Sequence, residues 1–217
     1  ALSATVPNGV ITTLPDPTNT ATFNTVPYNS IPLTAELAAQ LNTALAPPYN
    51  AGLAGAQAAG LISAEEVAQR TLVAFAGDNP VLIQDDDLTD LSALGLPSIR
   101  LANANDKMSL FTLPVLGTIP DPTNPLGIIG VTIPVPDFGV LTANEIAEIQ
   151  AKVAAGNAAI AASIPNGWAL FDLAGLYNEI VTTGVSEDDF NMTGDLIFGG
   201  FFGLDGYNPT SRGSALI

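Results

Sequence analysis

The stretch that decides the fold is Asn166-Gly-Trp-Ala-Leu-Phe171, a turn signal followed by four consecutive apolar residues. A run without alternating polar residues is typical of a strand covered on both faces, as in an α/β sheet. Upstream, a capping-box pair precedes apolar residues that recur on one helical face: Thr142 and Glu145, then Ile146, Ile149, Val153 and Ile160. This spacing predicts a helix from residue 142 to about 163 that leads into the strand.

Shorter elements are expected towards the N-terminus. The β-branched run Val10-Ile-Thr-Thr-Leu14 follows an Asn-Gly turn signal and stops at a Pro-Asp-Pro sequence, which predicts a short strand. Two short helices are indicated by Leu37, Leu41 and Leu45 after Thr34, and by the Ser63–Glu66 capping box before Val67, Leu72 and Val73. Residues 74–140 are rich in Pro, Gly and Asp, and we expect mixed strand and loop there.

Two hexapeptides are nearly identical, Leu14-Pro-Asp-Pro-Thr-Asn19 and Ile119-Pro-Asp-Pro-Thr-Asn124. Their flanks do not match and no period recurs, so they do not indicate a solenoid. We expect two similar turns, in each of which the Asp caps its own backbone.

Composition excludes several classes of function. The chain is 47% hydrophobic and only 12% charged, which argues against disorder and fits one folded domain over residues 1–217. A formal charge of −16 repels phosphate backbones and anionic lipids, so nucleic acid is not expected as a partner. No cysteine is present, which excludes disulfides and thiolate ligands, and no apolar stretch has the length of a membrane span. We expect no cofactor and no metal.

The C-terminal sequence carries the most specific motif, Phe201-Phe-Gly-Leu-Asp-Gly-Tyr-Asn-Pro-Thr followed by the start of an apolar helical pattern. It resembles the last block of SGNH (GDSL-type) hydrolases, in which Asp-Gly-x-His-Pro-Thr precedes a helix. Residues 9–28, with a strand, Pro-Asp and then Phe23-Asn-Thr-Val-Pro-Tyr-Asn29, resemble the middle of secreted SGNH hydrolases of the Bacteroidetes type.

The resemblance implies an α/β fold, namely the C-terminal part of a flavodoxin-like, three-layer SGNH domain with a large helical and loop insertion at about residues 30–140. In the family the nucleophilic serine lies in an early Gly-Asp-Ser-like block, and a Gly and an Asn from later blocks complete the oxyanion hole. By the family order these blocks would lie upstream of Ala1.

Two site residues follow from the resemblance. Asp205 corresponds to the acid of the catalytic triad, and Asn208 stands at the position of the family's histidine base. A carboxamide has no proton affinity near neutral pH, and the chain contains no histidine, so we expect little hydrolysis by this mechanism. The alternative interpretation of both residues is a plain turn, since Asp-Gly and Asn-Pro are common turn formers.

Two other groups have simpler explanations. Ser211 and Ser214 lie close to Asp205 in sequence, but their place at a helix start indicates capping rather than nucleophilic roles. The acidic run Asp85-Asp-Asp-Leu-Thr-Asp90 invites a calcium interpretation but does not fit the EF-hand pattern, which favours a solvated acidic loop or a helix N-terminus.

Two hypotheses about function therefore stand. The first is a secreted ester or lipid hydrolase relative, inactive as it stands, that would take an acyl ester only if an upstream segment completed its site. The second is a non-catalytic extracellular structural, matrix or filament subunit that keeps the hydrolase-like fold and assembles with itself. Acidity, few lysines and many Thr, Asn, Pro and Gly residues predict an extracellular or cell-surface location for both.

Overall fold

The described part of the chain, residues 6–187 and 189–217 of a computed structural model, is a mixed α/β structure with short sheets. The α/β class is thereby confirmed. The chain divides into two compact units. The first contains the chain up to Thr25 together with Ala143–Ile217, and the second is Val26–Thr142. The second unit includes the residues, about 30 to 140, that we expected to form an insertion.

The elements in chain order are as follows. The strands are β1 (Gly9–Thr12), β2 (Ile31–Leu33), β3 (Gly77–Asn79), β4 (Leu82–Gln84), β5 (Ile99–Leu101), β6 (Lys107–Met108), β7 (Val140–Leu141), β8 (Trp168–Phe171), β9 (Val185–Glu187) and β10 (Phe190–Met192). The helices are α1 (Ala21–Asn24), α2 (Ala35–Gln40), α3 (Ala46–Ala58), α4 (Ala64–Arg70), α5 (Ala143–Ala162), α6 (Leu173–Thr182) and α7 (Ser211–Leu216). A π-helical segment, Leu41–Leu45, joins α2 to α3.

In the first unit, β1 and β8 pair in parallel, with Gly9 opposite Trp168 and Thr12 opposite Phe171. Both strands occur where the sequence predicts them. The expectation that β8 is covered on both faces is wrong, because its two central residues are exposed and only its ends are half-buried. Within the described residues β8 pairs with β1 in a two-stranded sheet, and this sheet lacks the layers on both faces that bury an apolar parallel strand.

Helix α5 confirms the helix predicted from residue 142, and its predicted face is half-buried rather than buried. It packs on the loop after β1 through polar contacts. The Asn157 side chain accepts from Leu14 N at 2.6 Å and donates to Leu14 O at 2.9 Å, while Gln150 donates to Asp16 at 3.1 Å. These paired side-chain bonds hold the segment after β1 in place.

The core of the first unit is an aromatic cluster beneath the C-terminal loop. Phe201, Phe202 and Tyr177 meet edge to face, with ring centroids 5.0 to 5.8 Å apart. Ala21, Ile180 and Met192 complete the buried set. Aromatic pairs prefer this edge-to-face arrangement, and both Phe201 and Phe202 are fully buried in it.

The second unit is built from antiparallel strand pairs, β2 with β3, β4 with β5 and β6 with β7, linked by turns and single-turn helices. This matches the mixed strand and loop predicted for residues 74–140. Its core forms two clusters. The first contains Val81, Ile83, Met108 and Val135, and the second contains Leu53, Leu82, Leu91 and Ile99.

The predicted N-caps of the short helices are confirmed. Thr34 accepts from Leu37 N and Ser63 accepts from Glu66 N, both at 3.2 Å. Helix α4, however, ends at Arg70. The prediction that Leu72 and Val73 belong to this helix is therefore wrong. The Arg70 guanidinium is fully buried, and because it donates to Glu66, Tyr49 and two carbonyls, the chain is fixed where the helix ends.

The two hexapeptides form the same turn, as predicted. Asp16 Oδ1 accepts from Thr18 N at 2.8 Å, and Asp121 Oδ1 accepts from Thr123 N at 2.9 Å. Hydrogen bonds from the Thr123 side chain and backbone hold the pKa of the Asp121 carboxyl below its ordinary value. The repeated sequence therefore reflects repeated local chemistry.

Candidate functional site

The C-terminal loop, residues 203–208, is a closed turn at the end of the first unit. Gly203 N donates to Asn208 O at 2.8 Å and Gly206 N donates to Gly203 O at 2.9 Å. A bridge between Phe202 and Pro209 closes its base. Gly206 has a φ of 69°, a left-handed conformation that glycine adopts without a Cβ clash. The Asp-Gly sequence thus provides both the capping carboxylate and the residue that the turn requires.

Helix α1 fastens this loop to the unit's core. Thr22 N donates to Gly206 O at 2.9 Å, and the Thr22 hydroxyl donates to Asp205 O at 3.2 Å. Thr22 is buried, and its neighbour Ala21 packs in the same buried cluster as Phe201, Phe202 and Tyr177. Residues from the two ends of the sequence are therefore brought together at the loop, and its backbone has a fixed position.

Three local donors hold the Asp205 carboxylate. Its Oδ1 accepts from Tyr207 N and Asn208 N, each at 3.0 Å, and its Oδ2 accepts from Asn208 Nδ2 at 2.6 Å. The hydrogen bond from Tyr207 N, followed by those from the Asn208 side chain and backbone, lowers the pKa of Asp205 from its ordinary value. Asp205 is solvent-exposed and remains ionised at neutral pH.

The two site residues predicted from the sequence are thus in direct contact. An aspartate that orients the side chain three residues later is the geometry a triad acid needs towards its base. It is equally the geometry of an Asx turn, in which the carboxylate caps following backbone amides. With Asn208 the pair can orient a hydrogen bond but cannot move a proton near neutral pH.

The neighbouring serines are not the helix cap that we expected. Thr210 is the N-cap of α7, because its hydroxyl accepts from Gly213 N at 3.0 Å. Ser211 and Ser214 lie within the helix and are exposed. Thr210 also donates to Gly200 O at 2.7 Å, so it links α7 to the segment preceding the loop. Nothing in these contacts activates either serine.

The acidic run at residues 85–90 contains a buried ion pair. Asp85 is buried and accepts from Arg100 Nε at 2.5 Å, while Asp106 accepts from both Nη atoms of Arg100 at 2.6 and 2.8 Å. The expected solvated acidic loop is therefore wrong at Asp85 and right for Asp86 and Asp87, which are exposed. An Arg counter-ion makes Asp85 a structural group.

The second unit also has a pocket of about 220 Å³, which the sequence analysis did not predict. We call it the apolar pocket. Its wall includes Leu41 and Leu45 from the π-helical segment, Leu72 and Val73 after α4, and Leu82 and Ile99 from the strand pair β4–β5. The helical spacing of Leu41 and Leu45 was visible in the sequence, but the end of α4 was not.

Within residues 6–187 and 189–217, no three acidic, histidine or cysteine side chains are grouped so that they could hold a metal ion. No helix in the same residues is both long and apolar enough to cross a membrane. Comparisons of the chain with family models, with curated proteins and with solved structures give no match.

Proposed function

We propose that this chain is related to the SGNH (GDSL-type) ester hydrolases and that, with asparagine at position 208, it does not hydrolyse esters by their mechanism. The observation that carries the proposal is the 2.6 Å bond from Asn208 Nδ2 to Asp205 Oδ2. The acid position orients the residue at the base position, and that residue cannot act as a base.

Two further features support the ancestry. The parallel pairing of β1 with β8, followed by α6, is the kind of unit from which flavodoxin-like sheets are built. The attachment of the C-terminal loop to Thr22 links the two segments, residues 9–28 and 201–217, that carry the family-like sequence. We accordingly propose a partial flavodoxin-like arrangement for the first unit.

Restoring a histidine at the base position tests this proposal. The protein expressed from its full reading frame is compared as wild type, Asn208→His and Asn208→Gln, with p-nitrophenyl acetate and butyrate as substrates. We expect activity only in Asn208→His, rising with pH through a histidine pKa of about 6.5 because the base must be neutral. Adding Asp205→Ala to that variant should abolish the gain.

Each other outcome has a defined meaning. No activity in a folded Asn208→His protein would contradict a hydrolase site at this loop. Activity in the wild-type protein that Asp205→Ala removes would contradict the proposed inactivity.

A second function, a non-catalytic extracellular subunit that assembles with itself, is favoured by large apolar side chains on the surface. Phe198 and Phe138 are 93% and 89% exposed, and Leu204 and Phe111 are 81% and 77% exposed. Exposed apolar groups of this size mark a contact surface where they form a contiguous patch. We expect sedimentation velocity to reveal association that increases with concentration and that Phe198→Ser with Leu204→Ser weakens, whereas a monomer at every concentration would contradict it.

We also propose an extracellular or cell-surface location. The acidic, lysine-poor composition and the glycosylation-type sequence Asn191-Met-Thr193 support it, and Asn191 is exposed on β10. Cell fractionation with an antibody to the protein tests the proposal. Recovery of the protein only inside the cell would contradict it.

A further inference from the structure

The apolar pocket lies between the two hydrophobic clusters of the second unit. Leu41 belongs to the first cluster, whereas Leu82 and Ile99 belong to the second, and all three line the pocket. The pocket opens to solvent on one side and leaves about 220 Å³ of unfilled space beside both clusters. A bound molecule that filled it would join the clusters into one core.

The polar side chains of the wall are already satisfied by the protein. The Tyr49 hydroxyl, the Asn79 carboxamide and the Thr132 hydroxyl each take part in at least two hydrogen bonds. The Tyr49 hydroxyl accepts from Arg70 Nε and lies within donating distance of the carbonyls of Pro97 and Ile99. The Asn79 carboxamide accepts from Phe75 N and donates to Pro80 O. The Thr132 hydroxyl accepts from Ile128 N and donates to Leu126 O. These side chains are already engaged within the protein, and a polar group that a ligand brought into the pocket would lose its hydration.

The size and chemistry of the wall fit a hydrocarbon ligand. None of the lining side chains is charged, and most are Leu, Val, Ala or Ile. An enclosed apolar cavity of about 150 Å³ binds benzene, which shows that a space lined by aliphatic side chains takes up a hydrocarbon of matching size. This pocket is larger, at about 220 Å³, and its wall is mainly aliphatic.

The backbone beside the pocket supports a binding role. Leu41 and Leu45 lie at the two ends of the π-helical segment that joins α2 and α3, and both line the pocket. Single π-helical turns are frequent at functional sites, because the wider turn displaces side chains from the regular helical face. Leu45 is 44% exposed and Val73 is 40% exposed, which places both at the opening.

We propose that the apolar pocket of the second unit binds a small, uncharged molecule through an alkyl chain. The proposal rests on the second unit alone and is independent of the function proposed for the C-terminal loop. It would hold for either an inactive hydrolase relative or a structural subunit.

Titration of the full chain with n-alkanols from butanol to octanol tests the proposal, with ligand-observed NMR as the measurement. We expect saturable binding whose affinity rises about fourfold per added methylene. The rise should stop at the chain length that fills the pocket. Binding that never saturates, or affinity that does not depend on chain length, would overturn the proposal.

Matched variants locate the site. Val73→Phe places a ring in the pocket opening, and Val115→Phe makes the same change at a position outside the pocket lining with similar exposure, 42% against 40%. We expect Val73→Phe to weaken n-hexanol binding at least tenfold and Val115→Phe to leave it unchanged. Equal binding in Val73→Phe and wild type, or equal loss in both variants, would overturn the proposal.

A measurement on the wild-type protein covers the case in which Val73→Phe does not fold. Methyl chemical shifts are recorded with and without n-hexanol. We expect the changes to centre on the methyl groups of Leu41, Leu72 and Ile99, which line the pocket. Changes centred on exposed residues elsewhere, such as Leu113 and Val115, would overturn the proposal.

Discussion

Replacing Asp106 by asparagine should destabilise the second unit more than any other carboxylate-to-amide change in it. The Arg100 guanidinium is buried and donates to two carboxylates, to Asp106 through both Nη atoms and to Asp85 through Nε. Burial opposes the charge of Arg100, but the hydrogen bonds to Asp106 and Asp85 outweigh it and raise the guanidinium pKa above its ordinary value. Arg100 therefore stays charged in the Asp106→Asn variant, and its buried guanidinium is then neutralised by Asp85 alone.

The magnitude follows from the contacts. Asp106 Oδ2 accepts from Arg100 Nη1 and from Asn103 N, so in the Asp106→Asn variant the amide oxygen must occupy that position. The NH₂ group of the new side chain then faces Arg100 Nη2, where two donors meet and one charge-assisted bond, worth about 1.5–3 kcal/mol, is lost. Breaking a buried ion pair costs about 3–5 kcal/mol, and since Asp85 remains, we expect about 3 kcal/mol.

The assay is urea unfolding monitored by hydrogen-exchange mass spectrometry. Peptides from residues 26–142 report the free energy of unfolding of the second unit. The matched control is Asp86→Asn, because Asp86 is exposed, lies beside Asp85 and accepts from the exposed Gln84 side chain at 3.0 Å. That change should cost less than about 0.5 kcal/mol. A cost for Asp106→Asn below about 1 kcal/mol, or equal to the control, would refute the reasoning.

Three further predictions test single contacts. Tyr49→Phe should cost about 1–3 kcal/mol in urea unfolding, because it leaves the buried Arg70 Nε without its acceptor. Gly206→Ala should cost about 1–2 kcal/mol of stability, because the backbone there has a φ of 69°. Gly55→Ala should stabilise the protein by about 0.5–1 kcal/mol, because Gly55 lies inside α3 with open space for a methyl group. In thermal unfolding the first variant should have a lower Tm than wild type and the second a higher one. Since the folded-state pKa of Asp205 is lowered, its hydrogen bonds should persist as the pH falls past about 3.9, the ordinary Asp value, and be lost only as the pH falls through the lowered pKa. Amide exchange of Tyr207 and Asn208 would detect this loss.

Local patterns predicted the local structure well. The N-caps at Thr34 and Ser63, the start of α5 and the two Asp turns were all expected, since each depends on residues within four positions of one another. Helix α3 was missed, because it begins with two prolines in its first turn and shows no strong apolar face in sequence. A proline in the first turn is compatible with a helix, but it also marks a break.

Features that depend on distant residues could not be predicted. The end of α4 is fixed by Arg70, whose buried guanidinium reaches the carbonyls of Thr89 and Pro97. The role of Asp85 depends on Arg100, 15 residues later, and no acidic-run pattern contains that partner. The apolar pocket was missed for the same reason, since its wall combines residues from 41–49, 72–82, 99–101 and 131–132. Spacing along a chain does not report unfilled space.

The C-terminal loop is the case in which sequence and structure support the same two interpretations. An Asx turn needs only Asp205 and the two amides it caps, and it would form whatever residue occupied position 208. A triad loop needs, in addition, a fixed backbone and a side chain at position 208 directed at the carboxylate. Both extra features are present, because Thr22 holds the loop and Asn208 Nδ2 contacts Asp205 at 2.6 Å. An anchored turn would show the same contacts, so the Asn208→His variant is what separates the two interpretations: only a triad loop gains ester hydrolysis from that change.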